Sequence, residues 1–430
     1  MSIKELYNIF LKHPKISTDS RLIDNGGLFF ALKGENFNGN AYAASALASG
    51  AAYSVIDEVE YKIDDSYILV DNVLSTMQQL ARYHRIKLGI PIIAITGTNG
   101  KTTTKELITW VLSKKYSVGY TKGNMNNHIG VPLTLLSMST TTQIGVVEMG
   151  ANHPGEIAGL CEIALPGFGL VTNVGKAHLE GFGSFEGVKK TKAELFGYLK
   201  RTGGKIFLNT ANQHLKDMAG DVPAIGYTTI RGGDGIEGKL IQSSPFMVFQ
   251  ARFPNGWLYI KTNLTGGYNL ENALAAVCVG KYFEVDPLVI CEALEMYKPS
   301  NNRSQFIKTA YNQILMDAYN ANPVSMDAAL ENLKTFNEPL KGVILGDMFE
   351  LGEISHEEHQ KIADKLAGMK LSMVLLAGEE FSKCQVPPYF HLFMNITLLI
   401  SFIEGLNIRG YLFLIKGSRK MKLENIIDKL

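Results

Sequence analysis

The chain has 430 residues, too many for one ordinary domain and enough for about two to four. Hydrophobic residues at 46% and charged residues at 19% describe a globular protein, and a net charge of +1 gives no general footprint for nucleic acid or an anionic membrane. The four cysteines, Cys161, Cys278, Cys291 and Cys384, stand far apart with no CxxC, which argues against a disulfide framework or a thiolate zinc site and suits a reducing cytoplasm.

The N-terminal stretch MSIKELYNIFLKHPKIS scatters charges through a short amphipathic pattern and lacks the apolar core of a signal peptide, and no later run approaches ~18 apolar residues. A chain neither exported nor membrane-spanning is expected. Short strands (GLFFALKG, AAYSVID, YILVD) and an Ala-rich helix around Asn40 to Ser49 predict a small α/β unit, followed by a connecting helix from Ser75 to Leu88. Strand and helix signals then alternate: IGVVEMG, GLVTNVG, a helix from Phe185 to Leu199, KIFLN, and a helix from Asn269 to Tyr282. That rhythm predicts a parallel sheet covered on both faces. Between Ile225 and Leu264 short strands with Gly and Pro turns predict an antiparallel annex. Three apolar strands running into glycine (GVILGD, SMVLLAG, YLFLIKG) predict a third, Rossmann-like unit starting near Ile307.

The most informative stretch is IIAITGTNGKTTT, from Ile92 to Thr104. A β-branched run breaks at Gly97 into a loop of small residues, then meets Lys101, Thr102 and a helix-compatible segment ending near Leu112. Glycine lets successive backbone N–H groups converge on phosphate oxygens, lysine supplies a point charge, and Thr102 offers a hydroxyl to Mg2+. The common GxxxxGK[ST] loop would place glycine where Ile95 stands, so only GxxGKT is present. Its position between an apolar strand and a helix marks a nucleotide site built from Gly97, Thr98, Asn99, Gly100, Lys101, Thr102 and Thr103.

Ligands of open α/β sheets gather at the carboxyl ends of strands, which singles out Glu148, His178 and Lys192. Glu148 could bind Mg2+ directly or through water, or be a carboxylate at a solvated strand end. A lone histidine after a strand, as at His178, is more often structural. Lys192, close to Lys189 and Lys190 on a predicted helix, reads when taken alone as part of a solvated charged face.

Taken together, GTNGKTTTKELI, GNMNNHIGVPLTLL, VVEMGANHPGEI, TNVGKAHLEGFGS and KAELF resemble the ATP-binding domain of the Mur ligases. The similarity continues outward in STDSR, LFFALKGENFNGN, DAYNANPVSM, LGDMFELG and LIKGSR, and there it is to the branch of the family that adds D-alanyl-D-alanine. The resemblance implies a three-domain α/β architecture: residues 1–88 as a UDP-substrate-binding domain, 89–306 as a central ATP-binding P-loop domain with a parallel sheet, and 307–430 as a Rossmann-like acceptor-binding domain. It implies ATP and Mg2+ as cofactors, with UDP-N-acetylmuramoyl-tripeptide and D-alanyl-D-alanine as small-molecule substrates of a cytoplasmic monomer. The tripeptide carboxylate would take the γ-phosphoryl group, and the amine of the dipeptide would attack the resulting acyl phosphate.

By the same resemblance, Lys101, Thr102, Glu148, His178 and Lys192 are catalytic, with Thr102, Glu148, His178 and a carbamylated Lys192 at metal. Asn269, Asn272, Arg303 and Asp317 match positions that reach the nucleotide. Ser20, Arg21 and Lys33 match the uridine segment, and Asn126 and Asn127 the loop that meets the muramoyl peptide. Asn320, Asn322, Asp347, Glu350, His359, Lys416, Ser418 and Arg419 fall in third-domain motifs associated with acceptor binding or closure. The chain also departs from many relatives, with Asn38-Gly39-Asn40 for Asp-Gly-His, Tyr268 for histidine, and Arg303 in NNRSQ instead of a glycine-flanked turn. Two other readings stay open: a tripeptide-forming ligase, whose Asp-Asn-Pro-Arg motif is here ANPVSM, and a P-loop regulatory module.

Overall fold

The computed structural model describes residues 1–175 and 179–430. Three main sheets follow one another along the chain. The first has four parallel strands drawn from Ile16–Ser17, Leu28–Phe30, Tyr53–Ile56 and Tyr67–Leu69. The helix Ile3–Lys12 precedes it, started by a capping box between Ser2 and Glu5. The helix Val73–Leu88 leads out of it, capped by Asn72 and stopped by left-handed Gly89.

The second sheet has nine strands, with Ile92–Thr96 lying between Phe168–Val171 and Ile144–Glu148 in parallel register. Alternation along this strand serves two cores. Ile92 and Ala94 join one cluster with Leu80 and Val131, while Ile93 and Ile95 join another with Leu107, Val111 and Leu274. A strand buried on both faces is therefore apolar throughout, as read from its sequence. Each of the three isoleucines contributes about 1.5–3 kcal/mol by burial, so the loop that follows springs from a rigid base. The helix Leu270–Tyr282 is buried almost all round and packs beside the helix Lys101–Leu112.

The expected antiparallel annex is present, in Ile236–Gln242, Val248–Phe253 and Gly256–Lys261. It is the end of the central sheet, to which it is joined through Ala224–Thr228. The third sheet has six strands, five of them parallel, with Gln305–Lys308 antiparallel at one edge. All four cysteines are buried free thiols. No helix among the described residues is long and apolar enough to cross a membrane.

Candidate active site

A cleft of about 1120 Å3 lies where the second and third sheets meet. Its floor is the loop after Ile92–Thr96. Gly97 (φ 141°) and Gly100 (φ 78°) adopt backbone conformations that L side chains avoid, and neither has room for one. A Cβ on Gly97 would stand 2.0 Å from Thr172 Oγ1, and one on Gly100 would stand 2.5 Å from Asn272 Oδ1. The segment after Phe168–Val171 holds the loop in shape. Thr98 N donates to Asn173 O (3.0 Å), Asn99 N to Asn173 Oδ1 (2.9 Å), and Thr172 Oγ1 to Asn99 O (2.6 Å). No side chain caps the helix that begins at Lys101, so the N–H groups of its first turn stay available where Gly100 to Thr103 line the cleft.

Lys101 Nζ donates back to Gly97 O (2.7 Å) and Thr98 O (3.1 Å). Burial lowers its pKa to about 8, against Glu148, which favours the charge, and with Arg303, which opposes it. Glu148 is 2% exposed, which rules out a solvated strand end. Its Oε1 accepts from Asn126 Nδ2 (2.8 Å), while its Oε2 is buried without a hydrogen-bond partner among the described residues.

Lys192 is 2% exposed, so it does not belong to a solvated face. The helix Phe185–Thr202 starts at the Ser184 cap and buries Val188, Lys192, Leu195 and Leu199, which share one stripe at helical spacing. The ammonium lies 5.2 Å from the centre of the Phe182 ring. Burial, and after it the positive charge of Lys101, lowers its pKa to about 7. His178 lies outside the described residues. Among the described residues no group of three His, Cys, Asp or Glu could hold a metal ion.

The far wall brings in residues distant in sequence. Asn272 accepts from Thr104 Oγ1 (3.0 Å) and donates to Asn269 Oδ1 (2.9 Å), and Asn269 Nδ2 donates to Thr265 O (2.8 Å) and Ser304 Oγ (3.1 Å). Asn269 therefore uses its amide for tertiary contacts and does not cap the helix that follows. Arg303 stands between two left-handed non-glycine residues, Asn302 (φ 56°) and Ser304 (φ 49°), so the turn keeps a conformation that glycine adopts more easily. Its guanidinium stacks 3.7 Å from the Tyr319 ring centre. Asp317 Oδ2 accepts from Lys416 Nζ (2.7 Å), which is itself 2% exposed. Asn320, Asn322 and Glu350 complete this side of the cleft.

Three family models account for most of the chain: the Mur ligase family catalytic domain over 14–92, the Mur ligase middle domain over 95–280, and the Mur ligase glutamate ligase domain over 302–388. The chain belongs to the Mur ligase family. It is 34% identical to the UDP-N-acetylmuramoyl-tripeptide–D-alanyl-D-alanine ligase of Bacillus subtilis, with 96% of this chain and 92% of that one aligned. MurF from Acinetobacter baumannii superposes with a TM-score of 0.85 at 30% identity, over 96% of this chain and 92% of that one. MurF from Thermotoga maritima, solved in complex with ADP, also gives 0.85, at 27% identity over 98% of this chain and 97% of that one.

Not every expected residue of this Mur ligase reaches the cleft. Ser20, Arg21 and Lys33 lie on the first sheet's unit, away from it. Arg21 grips Asp19 through two contacts (2.9 and 2.6 Å), and Lys33 pairs with Asp57 (3.0 Å) and Glu58 (2.6 Å). The substituted Asn38 and Asn40 bond to each other (2.9 Å) and to Glu58 and Asp57 in turn, and Tyr268 bonds Ser304. Asn127 lines the cleft but spends its Oδ1 on the N–H groups of Ile129 and Gly130.

Asp347 and His359 do not line the cleft. Asp347 accepts from the N–H groups of Glu380 and Phe381, each at 3.0 Å. His359 is fully buried between Met348 N (2.9 Å) and Ser355 O (2.7 Å). Both shape the framework. Sequence reading passed over Lys105, buried beside Glu148; its i, i+4 spacing from Lys101 was the available signal.

Proposed function

We propose that this Mur ligase joins D-alanyl-D-alanine to UDP-N-acetylmuramoyl-tripeptide with cleavage of ATP to ADP and phosphate. The product is the pentapeptide precursor of peptidoglycan, made by a monomer in the cytoplasm. One observation carries the reading: a phosphate-binding loop, a buried carboxylate and an arginine–aspartate–lysine wall converge on a single cleft between two sheets. Residues 1–88 would hold the uridine end through Ser20, Arg21 and Lys33, residues 89–306 the nucleotide, and residues 307–430 the acceptor near Asn320 and Asn322.

In the first step a tripeptide carboxylate oxygen bonds to the γ-phosphorus and the bond to the β-phosphate oxygen breaks, releasing ADP. The dipeptide amine then attacks the acyl carbon, and phosphate leaves from the tetrahedral intermediate. Positioning and charge neutralisation dominate phosphoryl transfer. The N–H groups of the loop and Lys101 hold the phosphates, Arg303 adds a second positive charge, and Asn269 and Asn272 face the base. Asn126 and Asn127 meet the muramoyl peptide.

Glu148 Oε2, which accepts no hydrogen bond among the described residues, and the Thr102 hydroxyl at the same cleft are hard oxygen donors that fit Mg2+. Bound there, Mg2+ would neutralise phosphate charge. A carbamate forms from a neutral amine, and the lowered pKa of Lys192 supports that modification at this position. With His178, a carbamylated Lys192 would complete the metal-binding set.

The test is ADP release from purified protein with substrates omitted one at a time. Multiple-turnover release that requires both the UDP-tripeptide and D-alanyl-D-alanine, with at most one equivalent of ADP formed without the dipeptide and with free D-alanine and diamino acids as poor acceptors, is the expected result. Brisk ADP release with neither substrate would overturn the reading.

A further inference from the structure

Lys105 stands one helical turn beyond Lys101 and is 1% exposed. Two carboxylates face its ammonium at nearly equal distance, Glu148 Oε2 at 3.8 Å and Glu106 Oε1 at 3.9 Å. Both distances suit ion pairing and exceed a direct hydrogen bond. The two carboxylates differ in their other partners. Glu106 accepts from the Tyr297 hydroxyl (2.5 Å) and from Asn301 Nδ2 (2.8 and 3.0 Å), so it is held whatever Lys105 does. Glu148 Oε2 has no hydrogen-bond partner among the described residues.

Keeping a buried carboxylate ionised is costly unless a nearby charge or hydrogen bonds offset it, between turnovers as well as during them. A lysine in direct contact would supply that charge but occupy the oxygen that a metal must take. At 3.8 Å the ammonium neutralises the carboxylate and leaves its oxygen open. We propose that Lys105 is a resident counter-ion for Glu148, which stabilises the carboxylate while no divalent cation is bound and leans toward Glu106 when one arrives. The flexible four-carbon stem of lysine permits that small shift. Lys105 is thus a positioning residue that acts through Glu148, and the inference rests on Glu148 being the metal carboxylate.

Thermal midpoints in the presence of ADP, with either MgCl2 or EDTA, test this for the full chain. In wild type Lys105 supplies the charge without metal, so Mg2+ should add little. In Lys105→Met the midpoint should fall in EDTA, and Mg2+ should raise it by about 3 °C or more beyond the wild-type shift. Equal Mg2+ shifts in the two proteins would overturn the inference. Should Lys105→Met fail to fold in EDTA, the double variant Lys105→Met/Glu148→Gln decides. Removal of both charges should restore folding without metal, and a double variant as unstable as the single one would assign Lys105 to packing alone. Glu148→Gln by itself separates the two levels: a Mg2+ shift that survives it would overturn the metal role of Glu148 and not merely that of Lys105.

Discussion

Asn322 Nδ2 donates to Asn99 Oδ1 at 2.8 Å, joining residues 223 apart across the cleft. Asn99 lies in the phosphate-binding loop, and Asn322 caps the helix Pro323–Lys334 of the third sheet's unit through Ser325 N. One side chain thus starts a helix with its oxygen and reaches the nucleotide loop with its nitrogen. The third unit thereby touches the loop that forms the floor of the cleft.

Asn322→Ser separates those two tasks, because serine caps a helix about as well as asparagine but cannot span to Asn99. Stability should fall by no more than about 1 kcal/mol, the worth of the lost hydrogen bond. Turnover should fall about fivefold, the equivalent of one neutral hydrogen bond of ~1 kcal/mol. Thermal melts and steady-state rates on the same preparation check both halves.

Lys101→Ala should reduce ligation about a hundredfold or more, since a preorganised charge at a transferring phosphoryl group contributes several kcal/mol. Among the described residues Lys101 bonds only to carbonyls of its own loop, so the fold should survive its loss. Circular dichroism alongside the rate assay separates the two effects, and near-normal turnover would remove the loop from the mechanism.

Lys192→Ala and Lys192→Arg should both abolish activity if Lys192 works as a carbamate, because a guanidinium stays cationic and cannot take up CO2. Formate or acetate should partly restore Lys192→Ala by filling the vacated anion site. A fully active Lys192→Arg enzyme would eliminate the carbamate while leaving the ligase reading in place.

His359 should act on stability and not on catalysis. Its Nε2 accepts from Met348 N and its Nδ1 donates to Ser355 O, so the neutral ring fits the site. His359→Ala strands both backbone groups and should cost about 2–4 kcal/mol with the turnover number unchanged. Burial lowers the pKa of His359 below its ordinary value of 6.5. The unfolded chain therefore binds the proton first, so the contribution is complete above about pH 6.5 and is lost as pH falls below it. Urea midpoints from pH 8 to pH 5 should show that acid loss in wild type and less of it in His359→Gln.

The strand Ile92–Thr96 and the glycine loop after it were legible because both signals are local: a β-branched run buried on two faces, then glycines where side chains do not fit. The annex was legible as antiparallel strands but not as the end of the central sheet, because backbone pairing across Ala224–Thr228 leaves no mark in residue type. At Lys192 the neighbouring lysines suggested a wet surface, although the apolar spacing of Val188, Leu195 and Leu199 places it on the buried stripe. For the buried Asp347 and His359 the motif alone does not separate a side chain that shapes a loop from one that touches a ligand. The Asn99–Asn322 contact spans too much chain to leave a local trace.

The central claim is that the tripeptide carboxylate takes the γ-phosphoryl group over the Lys101 loop before the dipeptide amine attacks. Tripeptide labelled with 18O in its terminal carboxylate, incubated with ATP, Mg2+ and D-alanyl-D-alanine, tests it through the mass of the phosphate released. Each phosphate should carry a single 18O, from the bond broken when the acyl phosphate is aminolysed. Phosphate free of label, with the pentapeptide still formed, would contradict the account.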